Sequence, residues 1–155
     1  MIRRMEADDR EKIRSILERS GNFTAEEIAV AMELVDIFIS DEAQKDYEFF
    51  VDAEDKIVRG YVCIGPRPLT EGTYDLYWIA VDPGIQSKGI GSSLMRHSED
   101  HIRSKGGRLV LIETSSKPSY EKERRFYEKN HYGELVVITD FYRPGDSLVI
   151  YGKYL

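Results

Sequence analysis

The sequence predicts one domain of the α+β or α/β class, built on a mixed β-sheet flanked by helices. Its 155 residues suffice for a single domain with its own hydrophobic core. Short runs of β-branched and aromatic residues alternate with segments whose apolar residues recur at helical spacing. One succession of strand, helix and strand predicts a parallel pair joined by a right-handed crossover, whereas short turns between the other strands predict antiparallel pairing.

The first half of the chain predicts three strands and two helices. The predicted elements are a strand at Ile2–Met5, a helix from Asp8 or Asp9 to about Arg19, a helix that begins after Thr24, and strands at Tyr47–Val51 and Lys56–Ile64. Thr24 followed by Glu27 has the pattern of a capping box, which satisfies free amides at a helix start. The stretch from Ile37 to Ala43 is ambiguous.

The second half alternates strands with helices and closes on a hairpin. The predicted elements are a strand at Thr73–Val81, a helix at Ser92–Lys105, a strand at Arg108–Thr114, a helix at Tyr120–Lys129, and strands at Glu134–Phe141 and Leu148–Tyr154. Thr73–Val81 is rich in aromatic and β-branched residues, which favour strands. Arg108–Thr114 is nearly continuous in apolar residues, as expected of a strand covered on both faces.

Composition excludes several classes of function. The formal net charge of −6 argues against nucleic acid as the main partner, because phosphate binding normally needs a basic face. No apolar stretch is long enough to span a bilayer, and the N-terminus lacks the apolar region of a secretory signal, so no membrane partner is expected. The single Cys63 excludes an internal disulfide and predicts a cytoplasmic setting. His97 and His101 have no third ligand at matching spacing, so no metal is expected.

The segment 81–92 carries the main functional signal. It joins a predicted strand to a predicted helix and contains Gly89-x-Gly91 followed by serines. Glycine lets the backbone approach a ligand closely, and successive amides at a helix start form a natural phosphate site. The segment is not a P-loop, since Ile90 stands where the lysine is needed, and not a dinucleotide-binding turn, since Leu94 replaces the third glycine. A glycine-rich turn without a ligand is the alternative.

The spacing Gln86-x-x-Gly89-x-Gly91 is similar to the acetyl-CoA pyrophosphate loop of the GNAT superfamily of N-acetyltransferases. In that family the loop follows a strand that ends in hydrophobic-x-Val, matched by Ile79-Ala80-Val81, and a later helix carries an aromatic-Tyr pair, matched by Phe126-Tyr127. The order and spacing hold from about residue 73 to residue 132. The resemblance implies the GNAT fold, a central mixed and mostly antiparallel sheet with a splayed parallel strand pair, flanked by helices.

The resemblance also implies how acetyl-CoA would bind. Backbone groups of Ile79, Ala80 and Val81 would bond the acetyl carbonyl and the pantetheine amides. The pyrophosphate would be held by loop amides, those of Gln86, Ser87, Lys88, Gly89, Ile90, Gly91 and Ser92. Tyr120 stands where many members have an asparagine that bonds pantetheine, and His131-Tyr132 stands where they have a Gly-aromatic pair. At these two places the sequence departs from the family pattern.

Catalytic residues follow from the same resemblance. Tyr127 would be the general acid toward the departing thiolate, since a phenol with a pKa of about 10 can donate a proton without being ionised at neutral pH. The alternative is that Phe126-Tyr127 only packs the helix against the sheet. The base that accepts the amine proton is expected to be Asp75, Glu113 or an ordered water. Asp75 shares a strand face with Ile79, and a purely structural role is the alternative for each carboxylate.

The predicted function is therefore transfer of acetyl from acetyl-CoA directly to a primary amine of a small molecule, peptide or protein, in a ternary complex. No covalent nucleophile is evident, since Cys63 is expected in the core. The alternative is a non-catalytic regulatory module that binds acyl-CoA. The expected partners are acetyl-CoA and an amine acceptor whose identity the sequence does not specify. The oligomeric state is left open by the sequence; a homodimer is one alternative, since dimers are common in the family.

Overall fold

The computed structural model describes residues 1–85 and 89–155. Over these ranges the chain forms seven strands and four α-helices. In chain order these are β1 (Ile2–Arg4), α1 (Arg10–Ser20), α2 (Ala25–Ser40), β2 (Glu48–Glu54), β3 (Ile57–Pro66), β4 (Thr73–Val81), α3 (Ile90–Ser104), β5 (Leu109–Ser115), α4 (Glu121–Lys129), β6 (Gly133–Arg143) and β7 (Asp146–Tyr154). The predicted order of elements is confirmed.

The differences from the predicted elements lie at their ends. α2 continues through the ambiguous stretch as far as Ser40, and its start has the predicted capping box, in which the Glu27 amide donates to Thr24 Oγ1 at 3.1 Å. α3 begins at Ile90, two residues earlier than predicted. It can begin there because Gly89, at φ +69°, takes the left-handed conformation that glycine adopts without steric cost.

The strands form one sheet in the order β1-β2-β3-β4-β5-β7-β6. β4 and β5 are parallel, as predicted, and the other neighbouring pairs are antiparallel. The β4–β5 register covers only Thr73 with Leu109, Tyr74 with Val110, and Asp75 with Leu111. Beyond Asp75 the two strands separate, which confirms the predicted splayed pair.

Helices cover the two faces of the sheet to different extents. α1 and α2 pack on one face around a core that includes Ile13, Leu17, Val35, Phe49 and Tyr61. α3 and α4 pack on the opposite face around Leu94, Met95, Ile102, Ile112 and Tyr151. Among the described residues, the α1–α2 core includes sheet residues from β2, β3 and β4 and none from β5, β6 or β7. The α1–α2 face is therefore open beside β4, at the point where β4 and β5 part.

Cysteine and histidine side chains are parts of the packed structure. Cys63 is buried and free, and burial raises the pKa of its thiol, which keeps it protonated. His97 and His101 both contact the Phe50 ring edge to face, and His101 Nε2 lies 2.5 Å from Glu48 Oε2. In residues 1–85 and 89–155, no group of three or more His, Cys, Asp or Glu side chains is arranged to hold a metal ion. None of the helices in these two ranges combines the length and the apolar character that crossing a bilayer requires.

Candidate active site

A cleft of about 1010 Å³ opens where β4 and β5 separate. Its floor is formed by the splayed parts of both strands, and its walls include the first turns of α2 and α4 and the turn between β6 and β7. β4 is bulged at this point, because Cys63 pairs with Trp78 and Ile64 with Leu76, which leaves Tyr77 without a partner on β3. Bulges bend a strand and are common beside active sites.

The last residues of β4 have backbone groups without partners on one side. Ile79, Ala80 and Val81 pair with β3, whereas the β4–β5 register ends at Asp75. Backbone groups in a strand alternate between its two neighbours, so those directed toward β5 are not used by the sheet. This edge can therefore form hydrogen bonds with an extended ligand that carries amide groups.

The N-terminus of α3 follows β4 and has free amides of its own. Gly89 is the N-cap residue and makes no side-chain capping bond, and its carbonyl accepts the helix's first hydrogen bond from the Ser93 amide at 2.9 Å. The amides of Ile90, Gly91 and Ser92 precede that bond and have no partner within the helix. Together with the positive end of the helix dipole they can bind an anion. Gln86, Ser87 and Lys88, predicted to take part here, lie outside the described residues.

Gly91 lies where α3 packs closely against α4. A Cβ atom at this position would lie 3.1 Å from two carbons of the Phe126 ring and 3.5 Å from Val81 Cγ2. The glycine lets α3 approach α4 closely at Phe126, and it places the start of α3 beside Val81 at the end of β4. Substitution of Gly91 would therefore disturb packing as well as any ligand.

An ion pair fixes the exit from β4. Both guanidinium Nη atoms of Arg19, in the last turn of α1, donate to the Asp82 carboxylate at 2.9 Å, and the Gly84 amide donates to the same carboxylate at 2.8 Å. The hydrogen bonds from Arg19 hold the pKa of Asp82 below its usual range, against the opposing effect of burial. Asp82 therefore fixes the turn that follows β4, through Gly84.

Tyr127 is buried and lines the cleft. Its ring packs against Phe126 and Tyr151 at centroid distances of 5.9 and 5.8 Å. Its hydroxyl has no hydrogen-bond partner among the residues that the structure describes. Burial raises the pKa of this hydroxyl far above its ordinary value, and the nearby Glu123 adds to the effect. The group is thus protonated at neutral pH and free to donate.

The two candidate bases meet at Arg67. Its Nε and Nη2 atoms donate to the two carboxylate oxygens of Asp75 at 3.0 and 2.7 Å, and Asp75 is only 6% exposed. Glu113 Oε1 lies 3.6 Å from the same Nη2, and its side chain is 49% exposed. The structure brings the two carboxylates to the floor of one cleft, but their contacts and their exposure to solvent differ. Asp75 is bound on both oxygens, whereas Glu113 is open to solvent.

Two hydrogen bonds join α2 and the turn before it to the start of α4 and the residue before it. The Tyr120 hydroxyl donates to Glu27 Oε2 at 2.8 Å, and Asn22 Nδ2 donates to Glu123 Oε1 at 2.9 Å. Glu27 Oε1 accepts from the Thr24 amide in the capping box, so one carboxylate serves both contacts. The other oxygen of Glu123 is buried without a partner among the described residues.

Several of these residues were not found by sequence reasoning. Arg67 lies in a tract of glycine and prolines that predicts only the end of a strand, and nothing local indicates that it binds Asp75. Arg19 and Asp82 are 63 positions apart, which hides their pairing. Tyr120 was predicted at the donor site and Glu27 in the capping box, but the hydrogen bond between them, across 93 positions, was not predicted. The Asp-Pro-Gly sequence that begins at Asp82 was the one local signal, because aspartate often accepts from a backbone amide two residues later in a turn.

The chain is similar to known proteins in sequence and in fold. A model of the Acetyltransferase (GNAT) family matches residues 11–132. A solved structure from Desulfovibrio desulfuricans is 42% identical to this chain, with a TM-score of 0.96. The match covers 99% of this chain and 98% of that one, and that protein is assigned to the GNAT family of acetyltransferases. No curated protein matches.

More distant structures share the fold. An aminoglycoside 6′-N-acetyltransferase in complex with coenzyme A is 13% identical with a TM-score of 0.78, over 99% of this chain and 96% of that chain. The ribosomal-protein-S18-alanine N-acetyltransferase of Escherichia coli is 18% identical with a TM-score of 0.76, over 99% and 92%. The family match, the 42% identity and the splayed seven-stranded sheet agree, and the chain belongs to the GNAT acetyltransferase family and is an acyltransferase.

Proposed function

We propose that this enzyme transfers the acetyl group of acetyl-CoA directly to a primary amine of a small molecule, peptide or protein, with both substrates bound at once. The observation that carries the proposal is the buried hydroxyl of Tyr127, which has no partner among the described residues and lines a cleft between splayed strands. The N-terminus of α3 follows β4, and its first turn lies close to Val81 and to Phe126, the neighbour of Tyr127 in the chain. The free amides of α3 can bind an anionic donor, and the hydroxyl can serve the leaving group.

The residues present fit acetyl-CoA. The free amides of Ile90, Gly91 and Ser92, with the neighbouring Gln86–Gly89, would hold the pyrophosphate. The unpaired backbone edge of Ile79–Val81 would bind the pantetheine amides and the acetyl carbonyl. Tyr120 would line the pantetheine path with its ring, since its hydroxyl is bound to Glu27. A coenzyme A complex is known for the aminoglycoside 6′-N-acetyltransferase that shares the fold.

The chemistry needs two proton movements. The neutral amine nitrogen attacks the acetyl carbonyl carbon, the carbon–sulfur bond breaks, and the amine loses one proton. The thiolate takes a proton from the Tyr127 hydroxyl, which burial keeps protonated between turnovers. The Tyr127 phenolate then regains a proton from solvent, and the base that took the amine proton releases it to solvent. No covalent enzyme intermediate is needed, because Cys63 is buried in the core away from the cleft lining.

Glu113 is the better placed of the two candidate bases. Both oxygens of Asp75 accept from Arg67, so its role would be to fix the guanidinium at the cleft floor. Glu113 is half exposed and only 3.6 Å from Arg67, which leaves it accessible to the amine or to a bridging water. We therefore assign proton acceptance to Glu113, directly or through water, and a supporting role to Asp75.

The charge of the cleft favours an amine acceptor. Among the described residues that line it, six carry carboxylates, Glu26, Glu27, Asp75, Glu113, Glu123 and Asp146, and three carry positive charges, Arg67, Lys117 and Arg143. A cleft with excess negative charge concentrates ammonium groups. The Tyr77 and Trp78 rings, also in the lining, offer faces that attract cations.

The test is to incubate the enzyme with acetyl-CoA and a panel of amines that includes peptides. The expected result is a product heavier by one acetyl group and release of one free thiol for each product. At low acceptor concentration the rate should rise with pH across the neutral range, since only the neutral amine attacks. Acetyl-CoA binding without turnover for any amine would instead support the regulatory module. We also propose a cytoplasmic setting, on the ground of the free thiol of Cys63.

A further inference from the structure

Apolar and aromatic side chains of the cleft lining form one surface on the α1–α2 side of the sheet, which we call the trough. Its members are Phe23, Val30, Leu34, Tyr47, Tyr77 and Trp78. Four of them pack against the α1–α2 core, Tyr77 contacts Tyr47, and Val30 lies one turn before Leu34 on α2. No trough residue carries a formal charge, whereas the rest of the described lining includes carboxylates and cations. The trough therefore fits an uncharged part of a ligand.

The helix α2 presents one row of side chains to the cleft. Glu27, Val30 and Leu34 follow one another at spacings of three and four residues, so they share a face of the helix. Met32 and Val35, on the other side of α2, are buried in the core. Val30 is 51% exposed and is thus available to a ligand. The row begins with a carboxylate and continues with apolar side chains, so an ammonium group and an apolar group can both bind along it.

Tyr77 supplies an aromatic ring that is already held in place. Its ring packs edge to face on the Tyr47 ring, at a centroid distance of 5.4 Å. On the neighbouring strand, a Cβ atom at Gly65 would lie 3.1 Å from Tyr77 Cε2, so the ring uses the space that the glycine leaves. Tyr77 is still 39% exposed, and burial of the rest raises the pKa of its hydroxyl to about 12. A fixed, neutral ring can bind a second ring at little cost in side-chain freedom.

The trough lies close to the proposed point of acetyl transfer. Tyr77 precedes Ile79 by two residues on β4, which is about 7 Å along a strand. The backbone of Ile79 belongs to the free edge that would bind the acetyl carbonyl. A ligand with its nitrogen at Ile79 and a ring against Tyr77 needs a chain of about two or three carbon atoms to span this distance.

We propose that the acceptor is a small arylalkylamine, a primary amine joined by a short carbon chain to an aromatic ring that packs in the trough. This proposal rests on the proposed function and names the acceptor of the same site. An arylalkylamine brings one positive charge, which the carboxylates of the cleft attract, and leaves the trough uncharged. A polyamine or an amino sugar would bury ammonium or hydroxyl groups in the trough, where no polar group replaces their hydration.

The first test compares acceptors by their initial rates with acetyl-CoA. Phenethylamine should exceed ethylamine, which is the same chain without the ring, by about ten-fold or more in kcat/KM. It should exceed putrescine and glucosamine by a similar factor, and benzylamine, whose chain is shorter, by less. Because amines differ in pKa, rates are compared at equal concentrations of the neutral amine. Equal kcat/KM values overturn the proposal, and so does faster acetylation of putrescine, glucosamine or a peptide that begins with phenylalanine.

Val30→Asp and Ile57→Asp form a matched pair of variants. Both replace a β-branched apolar residue, 51% and 59% exposed, but only Val30 is in the cleft lining. Val30→Asp should lower kcat/KM for phenethylamine by about ten-fold or more, mainly through KM, and change that for ethylamine much less. Ile57→Asp should change neither, and melting curves check that both variants fold. If Val30→Asp does not fold, Tyr77→Ala should lose the preference for the ring and Tyr77→Phe should keep it.

A binding measurement separates this proposal from the proposed function. Calorimetry on enzyme saturated with coenzyme A reports whether phenethylamine binds, independently of acetyl transfer. Binding that Val30→Asp weakens, without product from any amine, supports the trough and contradicts the proposed function. Acetylation of amines without preference for a ring supports the proposed function and overturns the trough as the acceptor site. A preference that survives Val30→Asp in a folded enzyme overturns it as well.

Discussion

At the scale of single residues, Tyr127 is the group on which the proposed chemistry depends most. Tyr127→Phe keeps the ring contacts with Phe126 and Tyr151 and removes a hydroxyl without a hydrogen-bond partner among the described residues. The free energy of unfolding should therefore change by less than about 1 kcal/mol. We expect kcat to fall by about 10²–10⁴, kcat/KM to fall with it, and acetyl-CoA affinity to be nearly kept. A near-normal kcat, in an assay limited by chemistry, would leave Tyr127 a packing residue.

Asp75 and Glu113 differ in their attachment to Arg67, and their variants should differ accordingly. Asp75→Asn removes a charge from a bidentate pair and should lower the free energy of unfolding by roughly 1 kcal/mol, a value reduced by the 42% exposure of Arg67. Glu113→Gln should leave stability unchanged and lower kcat/KM by about 10² or more. Urea unfolding and initial rates measure the two effects. If only Asp75→Asn loses rate, Asp75 is the base and not Glu113. If both variants keep normal rates, neither carboxylate is the base, and an ordered water accepts the amine proton.

At the scale of elements, α3 offers a matched pair of glycines. Gly89 and Gly106 flank its two ends at φ +69° and +82°, and a Cβ on either would meet nothing within 4 Å. Valine at each position is therefore strained to a similar extent, by about 1–3 kcal/mol. We expect both variants to melt earlier, but only Gly89→Val to lose acetyl-CoA binding, as measured by calorimetry. Equal binding by both variants would remove the N-terminus of α3 from the donor site.

The ion pair between α1 and the end of β4 should make stability depend on pH. The pKa of Asp82 is lowered chiefly by its hydrogen bonds from Arg19. The pair therefore stabilises the fold fully when the pH is above the pKa of an ordinary, unfolded-state carboxyl group. The contribution is lost as the pH falls through the lowered pKa. Arg19→Gln should thus be less stable than wild type at neutral pH, and the difference should shrink in acid. A difference that is constant across this range would contradict the assignment.

At the scale of the whole molecule, donor binding should stabilise the fold. Acetyl-CoA at 100 times its dissociation constant should add about 2.7 kcal/mol to the free energy of unfolding, which a melting curve detects readily. The matched control is a coenzyme fragment without the pyrophosphate, such as free pantetheine. At the same concentration as acetyl-CoA it should shift the melting temperature much less. An equal shift with both ligands would mean that the free amides of α3 contribute nothing to binding.

The sequence could predict what depends on local patterns. Thr73–Val81 was predicted with its observed bounds because a run of aromatic and β-branched residues strongly favours a strand over a helix or a loop. The crossover rule for two strands joined by a helix then predicted that β5 would be parallel to it. The length of the pairing between them is set by tertiary packing and was beyond prediction from residues. The same holds for Arg67, whose partner Asp75 could be read only once the β3–β4 connection had been folded.

The hydrogen bond from Tyr120 to Glu27 has a thermodynamic consequence for the two substrates. Tyr120 lies on the proposed donor path, and Glu27 lies on the opposite, acceptor wall. A donor that moves the Tyr120 ring would break the hydrogen bond from Tyr120 to Glu27 Oε2. The carboxylate of Glu27 would then attract an ammonium group more strongly. By reciprocity, an amine held by Glu27 would release Tyr120 for the donor. Acetyl-CoA and amine should therefore each tighten the binding of the other, a cooperativity without any domain motion that Tyr120→Phe should abolish.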